Sequence, residues 1–179
     1  MATPKRLEII KKSMTDKKTK RFTIVDYCKN ANVSRTAFYN FYGNGVINLY
    51  SSVFEEQINK SLTFRTQGSF AKTIDDALEE IFENREVYLL MYEGMNYKER
   101  KAVRERIVKA LFEKLKDYSF LHEWISATRL KVIANGIYGH IFNWVLHSCE
   151  DDKREVYKII HDYSYDLEGY CRTCKKKVR

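Results

Sequence analysis

The sequence predicts an all-α fold, and three observations carry that prediction. Apolar residues recur at intervals of three, four and seven along most of the chain, the spacing that gathers one stripe on a helix. One proline and seven glycines in 179 residues leave few positions that break helices. No series of alternating apolar and polar residues bounded by turn signals marks a strand. A hydrophobic content of 44% and an aromatic content of 14% exclude a disordered chain, and the length suffices to bury a core.

Pro4 suits the first turn of a helix. Leu7, Ile10 and Met14 then share one side, with Ile9 at its edge and Lys5, Arg6, Lys11 and Lys12 away from the seam. A polar link carrying Lys17, Lys18, Lys20 and Arg21 follows. From Phe22 to Tyr42 the chain reads as two short helices joined by a tight turn. Thr23 is a good N-cap, because its hydroxyl can accept from a free N–H of the first turn. Ile24, Tyr27, Cys28 and Ala31 make a buried stripe opposite Asp26, Lys29 and Asn30. Asn tolerates the left-handed conformation that ends helices, so this helix stops near Asn30 to Asn32. Val33 is expected to plug the space between the helices. Ser34 is a second N-cap and Arg35 opens the second helix. Phe38 and Tyr42 point inward, leaving Arg35, Thr36, Tyr39 and Asn40 facing out.

Two helices with a turn of three or four residues form a helix-turn-helix, whose second helix enters the major groove of DNA. The outward residues have the right chemistry. Arg bridges guanine O6 and N7, Asn bridges adenine N6 and N7, and Thr serves either base or phosphate. A Tyr hydroxyl donates to a phosphate oxygen. On pattern alone, an ordinary helical hairpin with a polar outer face competes with this reading.

The run TIVDYCKNANVSRTAFYNFY resembles the N-terminal domain of the TetR (tetracycline-repressor-like) family. That family typically shows a Thr, a small-residue and Gly-Val turn, a Ser, then a Tyr and a Phe three residues later. Thr23, Ala31, Val33, Ser34, Tyr39 and Tyr42 fall on those places. The resemblance implies phosphate contacts from Thr23 and Tyr39, and base contacts from Arg35, Thr36, Ala37 or Asn40. Three residues depart from the pattern. Asn32 replaces the usual Gly, Tyr42 the usual Phe, and Gly45 a Lys that begins the next helix and touches a phosphate. Asn44 is then the expected cap of that helix. The match covers about the first quarter of the chain, and the remainder agrees only in helical layout.

Charge divides the chain in the same place. Residues 1–45 hold ten Lys or Arg against three acids, a balance of +7, whereas residues 46–170 sum to −4 and residues 171–179 to +5. A cationic head on a slightly acidic body is the footprint of a phosphate-binding face. The expected domains are therefore a DNA-binding head, 1–45, and a helical dimerisation and ligand-binding body, 46–179. Lys17 and Lys18 are expected to meet phosphates.

In the body, Gly43 to Gly45 form a turn, and a helix is expected from Val46 to Phe64, with Ile47, Tyr50, Val53, Phe54 and Ile58 apolar. Residues 66–69 break the chain. A helix follows from Phe70 to Glu83 with Ile74, Ala77, Leu78, Ile81 and Phe82 buried, then a short helix ending near Gly94. Residues 97–118 are amphipathic through Val103, Ile107, Ala110, Leu111 and Leu115. Thr128 to His147 is apolar on nearly all sides, which implies burial on more than one face. Gly136 and Gly139 cost that helix about 1 kcal/mol each relative to Ala, and a close helix–helix approach would account for them. Asp151 and Asp152 favour the start of a last helix, striped by Val156, Ile159, Ile160, Tyr163 and Leu167. One chain offers few partners for both faces around Ile137. A two-fold four-helix bundle is therefore expected, with an interface of Ile133, Ile137, Ile141, Val145, Val156, Ile160 and Tyr163; the family resemblance implies dimerisation through the last two helices as well.

Other chemistry is sparse. Cys171 and Cys174 form a CxxC, but zinc needs four ligands and only Cys28 and Cys149 remain among the cysteines. No metal or cofactor is expected; the pair reads first as part of a basic tail, with a redox role beside the neighbouring cations as the alternative. Gly-rich phosphate loops, GxSxG and HExxH are absent, so no catalytic residue is assigned. Tyr88, Tyr92, Trp124, Tyr138 and Trp144 are candidates to line an effector cavity, although aromatics at helical spacing are more often plain core. No apolar run is long enough to span a membrane and no leader is evident, which predicts a cytoplasmic protein. The expected function is a DNA-binding transcriptional regulator, a repressor on a palindromic operator as a homodimer, released by an effector. The alternative is a protein–protein adaptor that keeps the fold without reading DNA.

Overall fold

A computed structural model describes residues 6–15, 22–43, 45–62, 70–119, 125–164 and 167. The described residues form nine α-helices and no strand, as the periodicity predicts. They are α1 (Arg6–Thr15), α2 (Ile24–Ala31), α3 (Arg35–Tyr42), α4 (Val46–Ser61), α5 (Phe70–Glu83), α6 (Arg85–Glu93), α7 (Tyr97–Ser119), α8 (Ala127–Leu146) and α9 (Lys153–Ser164). None of the helices is long and apolar enough to cross a membrane.

α1 lies across α2, α2 packs on α3, and α3 rests on the start of α4. α4 runs along α7, α7 along α8, and α9 closes against α5 and α8. Leu7, Ile9, Ile10 and Met14 of α1 are all buried. They join one continuous apolar core that extends to Val156 and Ile160 of α9. Polar ties fix the order of layers. Ser13 donates to the Ile9 carbonyl and accepts from Asn30 Nδ2 at 3.0 Å, stitching α1 to α2. Arg6 pairs with Glu56 of α4 at 2.9 Å, and Lys153 of α9 pairs with Asp75 and Glu79 of α5.

Several sequence expectations need correction. α4 ends at Ser61, where the Leu62 N–H bonds the Ile58 carbonyl, rather than running to Phe64. Leu49 joins its apolar side, fully buried. Phe82 is 37% exposed, its ring stacked on Trp144 with the Arg85 guanidinium 4.5 Å from its centroid. The expected break at 66–69 lies outside the described residues, as does Pro4.

The expected dimer interface is corrected most. Ile133, Ile137, Val145, Val156 and Ile160 are buried inside this chain, since α5, α7 and α9 together cover the inner side of α8. They have almost no surface left to give a second copy. Ile141 and Tyr163 are half-buried. The apolar residues that α8 leaves open are Val132, 54% exposed, and Leu146. With Gly139 between them they stand at intervals of seven, two helical turns, and so lie along one line. Ile159 of α9 is open as well.

The two mid-helix glycines separate. A Cβ at Gly136 would lie 2.2 Å from the Tyr163 hydroxyl, so this glycine is what lets α9 approach α8. A Cβ at Gly139 would meet nothing within 4 Å among the described residues, so no approach among them accounts for it.

Candidate nucleic-acid interface

The N-terminal pair of helices is built by its caps. Thr23 is extended (φ −131°, ψ 145°) and its Oγ1 accepts from the Asp26 N–H at 3.1 Å, while its hydroxyl donates to the Asp26 carboxylate. Asn32 takes φ +54°, the left-handed turn expected of it. There Val33 N–H reaches the Cys28 carbonyl at 3.0 Å and Asn32 N–H that of Lys29 at 3.3 Å. Both carbonyls at the end of α2 are thereby satisfied. Ser34 then caps α3, accepting from the Ala37 N–H at 3.0 Å. Caps of this kind contribute about 0.5–2 kcal/mol each, enough to matter for helices of eight residues.

α3 is anchored by aromatic rings. Phe38 and Tyr42 are buried, with centroids 4.9 Å apart, and both meet Tyr27 edge-on at 5.6 and 6.3 Å. The Tyr27 and Tyr42 hydroxyls lie 3.3 Å apart, which answers two polar groups the core would otherwise bury unpaired. Burial, and then the Tyr42 hydroxyl, push the Tyr27 phenol above its ordinary range. Burial likewise raises the Cys28 thiol, with Arg35 pulling the other way.

The rest of α3 faces outward. Arg35, Thr36, Ala37, Tyr39 and Asn40 are all exposed, and Arg35 makes no ion pair among the described residues. Phe41, which sequence reasoning did not single out, is 74% exposed. Its position between buried Phe38 and Tyr42 on the turn is what turns it out. Val33 is 42% exposed and does not plug the space between the helices. The left-handed Asn32 swings it outward, and Phe38 with Tyr27 fills the gap instead. Lys17, Lys18 and Asn44 lie outside the described residues. The N-cap position of α4 belongs to Gly45, at φ +73° and ψ −127°.

No protein-family model and no curated protein matches this chain.

The body holds the second candidate site. Of the expected aromatic residues, Tyr88 and Tyr138 line a cavity between α4, α5, α6, α7 and α8. Tyr92 and Trp144 do not. Tyr92 packs against Phe142, its centroid 4.7 Å away, beneath the Arg100 guanidinium at 4.0 Å. Trp144 is buried and donates from Nε1 to the Asp151 carbonyl at 2.9 Å, which makes it a strut for the α8–α9 turn. Trp124 lies outside the described residues. Phe54, Gln57 and Phe142 are among the other lining residues; helical periodicity marks which side of α4 or α8 is apolar but not which part of that side borders a void. Among the described residues no cluster of His, Cys, Asp or Glu could hold a metal ion.

Proposed function

We propose that the chain is a transcriptional regulator of the TetR type, a repressor that binds a palindromic operator as a homodimer and releases it when an effector enters the body. The observation that supports this most is the division of α3: two aromatic anchors face in, and Arg35, Thr36, Ala37, Tyr39 and Asn40 are exposed on one cap-fixed helix. A short helix presented in that way, in the segment that carries the basic excess, suits the major groove. The two α3 helices of a dimer would then sit about 34–36 Å apart, one turn of DNA or a multiple of it. Residues Val132, Gly139, Leu146 and Ile159 are the surface available for pairing the bodies.

Selection from a pool of random duplexes tests the reading. A palindrome enriched by the wild-type chain, with one base position relaxed by Arg35→Ala at a cost of about 1–3 kcal/mol, is the expected result. Uniform weakening on all sequences would make Arg35 a phosphate contact instead.

Two features support the adaptor reading. Phe41 is an exposed apolar side chain where DNA-facing helices are mostly polar, and Gly45 supplies no phosphate contact. No enrichment in the selection, together with full folding, would favour it.

A further inference from the structure

Phe41 is 74% exposed in the last turn of α3, the end away from the Ser34 cap. Its ring lies edge-on to that of Tyr42, with centroids 5.2 Å apart. At 3.6 residues per turn, Thr36 and Asn40 hold the middle of the outer side of α3, Tyr39 and Phe41 hold its two edges, and Ala37 stands between Asn40 and Phe41. The edge formed by Ala37 and Phe41, one turn apart, therefore carries no side-chain donor or acceptor. The helix has eight residues. It spans about 12 Å, no more than the width of the major groove, also about 12 Å. A helix that short, laid in the groove, brings its last turn to the base edges as well as its first.

The segment that carries α3 has a balance of +7, which suits a polyanion. Against DNA a phenyl ring has few places to go. It offers nothing to a phosphate oxygen. Over a guanine, adenine or cytosine edge it would strip water from donors and acceptors without replacing the bonds. The thymine C5-methyl is the one methyl group that the major groove of unmodified DNA displays. We propose that Phe41 is a specificity-determining residue that packs on a thymine methyl group in each operator half-site, so that the half-site holds thymine where Phe41 lies. This assignment rests on the regulator reading above. It gives the exposed ring, which the adaptor reading counts toward a protein partner, an occupant on DNA.

The palindrome that the full chain enriches from random duplexes is resynthesised with deoxyuridine in place of thymine, one position at a time, and titrated by fluorescence anisotropy. Deoxyuridine keeps the base pair and removes only the methyl group. At one thymine per half-site the wild type is expected to lose about fourfold in affinity for each methyl group removed, the worth of one small apolar group buried. Phe41→Ala and Phe41→Ser, either of which serves if the other misfolds, are expected to bind the thymine and deoxyuridine duplexes alike at that position. Each is also expected to relax the thymine preference in its own selection. A palindrome with no thymine sensitive to loss of its methyl group, or a sensitivity that survives both substitutions, would overturn the assignment and leave the DNA reading standing. So would substitutions that leave every duplex affinity unchanged, the result expected if the ring serves a protein partner. A folded wild type that enriches no palindrome would overturn the regulator reading, and this assignment with it.

Discussion

Arg106 of α7 donates from Nη1 to Asn48 Oδ1 at 3.0 Å, and Asn48 in turn donates from Nδ2 to the Tyr42 carbonyl at 2.7 Å. The same guanidinium binds Glu55 through Nε at 3.0 Å. Tyr42 is the last residue of α3. A side chain of the body is therefore two hydrogen bonds from the end of the outward-facing helix.

Asn48→Ala is expected to cost about 1–2 kcal/mol in urea denaturation, because a carbonyl and a guanidinium both lose a partner. Arg106→Ala is expected to cost under about 1 kcal/mol, since that residue is part-exposed and screened. The double mutant should cost less than the sum of the two, by about 0.5–1 kcal/mol. Strict additivity would show that the two contacts are independent.

Gly136→Ala should destabilise by about 1–3 kcal/mol, because its methyl group lands on the Tyr163 hydroxyl and forces the ring aside. In a Tyr163→Ala background the sign should reverse. Helix propensity then stabilises Ala over Gly by about 1 kcal/mol. Thermal melts of the four chains decide it.

Val132→Glu combined with Ile159→Glu should leave the fold intact and give a monomer in analytical ultracentrifugation, if the wild type pairs through that surface as proposed. Ile133→Ala should do the opposite. It opens a cavity in a fully buried site and lowers stability by about 2–5 kcal/mol. Dimers that persist through the double charge substitution would place the pairing surface elsewhere.

Burial pushes the Cys149 thiol up to about 11 and the Tyr138 phenol up to about 12. The folded chain holds both protons more tightly than the unfolded one. Their contribution to stability is therefore complete below pH about 9 and falls as pH rises toward 11 and 12. Urea midpoints should drop across that window, and Cys149→Ala should flatten the part between 9 and 11. A midpoint independent of pH there would contradict the burial of the thiol.

How far the chain was readable from its letters depends on the range of the interaction. Thr23, Asn32 and Ser34 were legible as caps, because a cap is set by residues within four positions of it. The bounds of α5 followed from periodicity, and those of α7 came within one residue. Ile133 and Ile137 were misplaced for the opposite reason. Periodicity says that a helix side is apolar, not which neighbour covers it, and here α5, α7 and α9 of the same chain do. Phe41 was missed because hydrophobicity argues for burial, whereas its angular position on α3 argues against it, and the angle prevails. Which apolar residues border the body cavity depends on five helices meeting, and no local pattern announces it.

Gly45 sits at φ +73° and ψ −127°, a region closed to residues with a side chain. Space is not the obstacle, since a Cβ there would meet Tyr39 and Ile24 only at 3.7 and 3.9 Å. The backbone conformation is, and a lysine placed here would therefore bend the loop before it could reach any partner. The turn reserves this position for glycine, and any larger residue gained here would be felt first in how α4 starts.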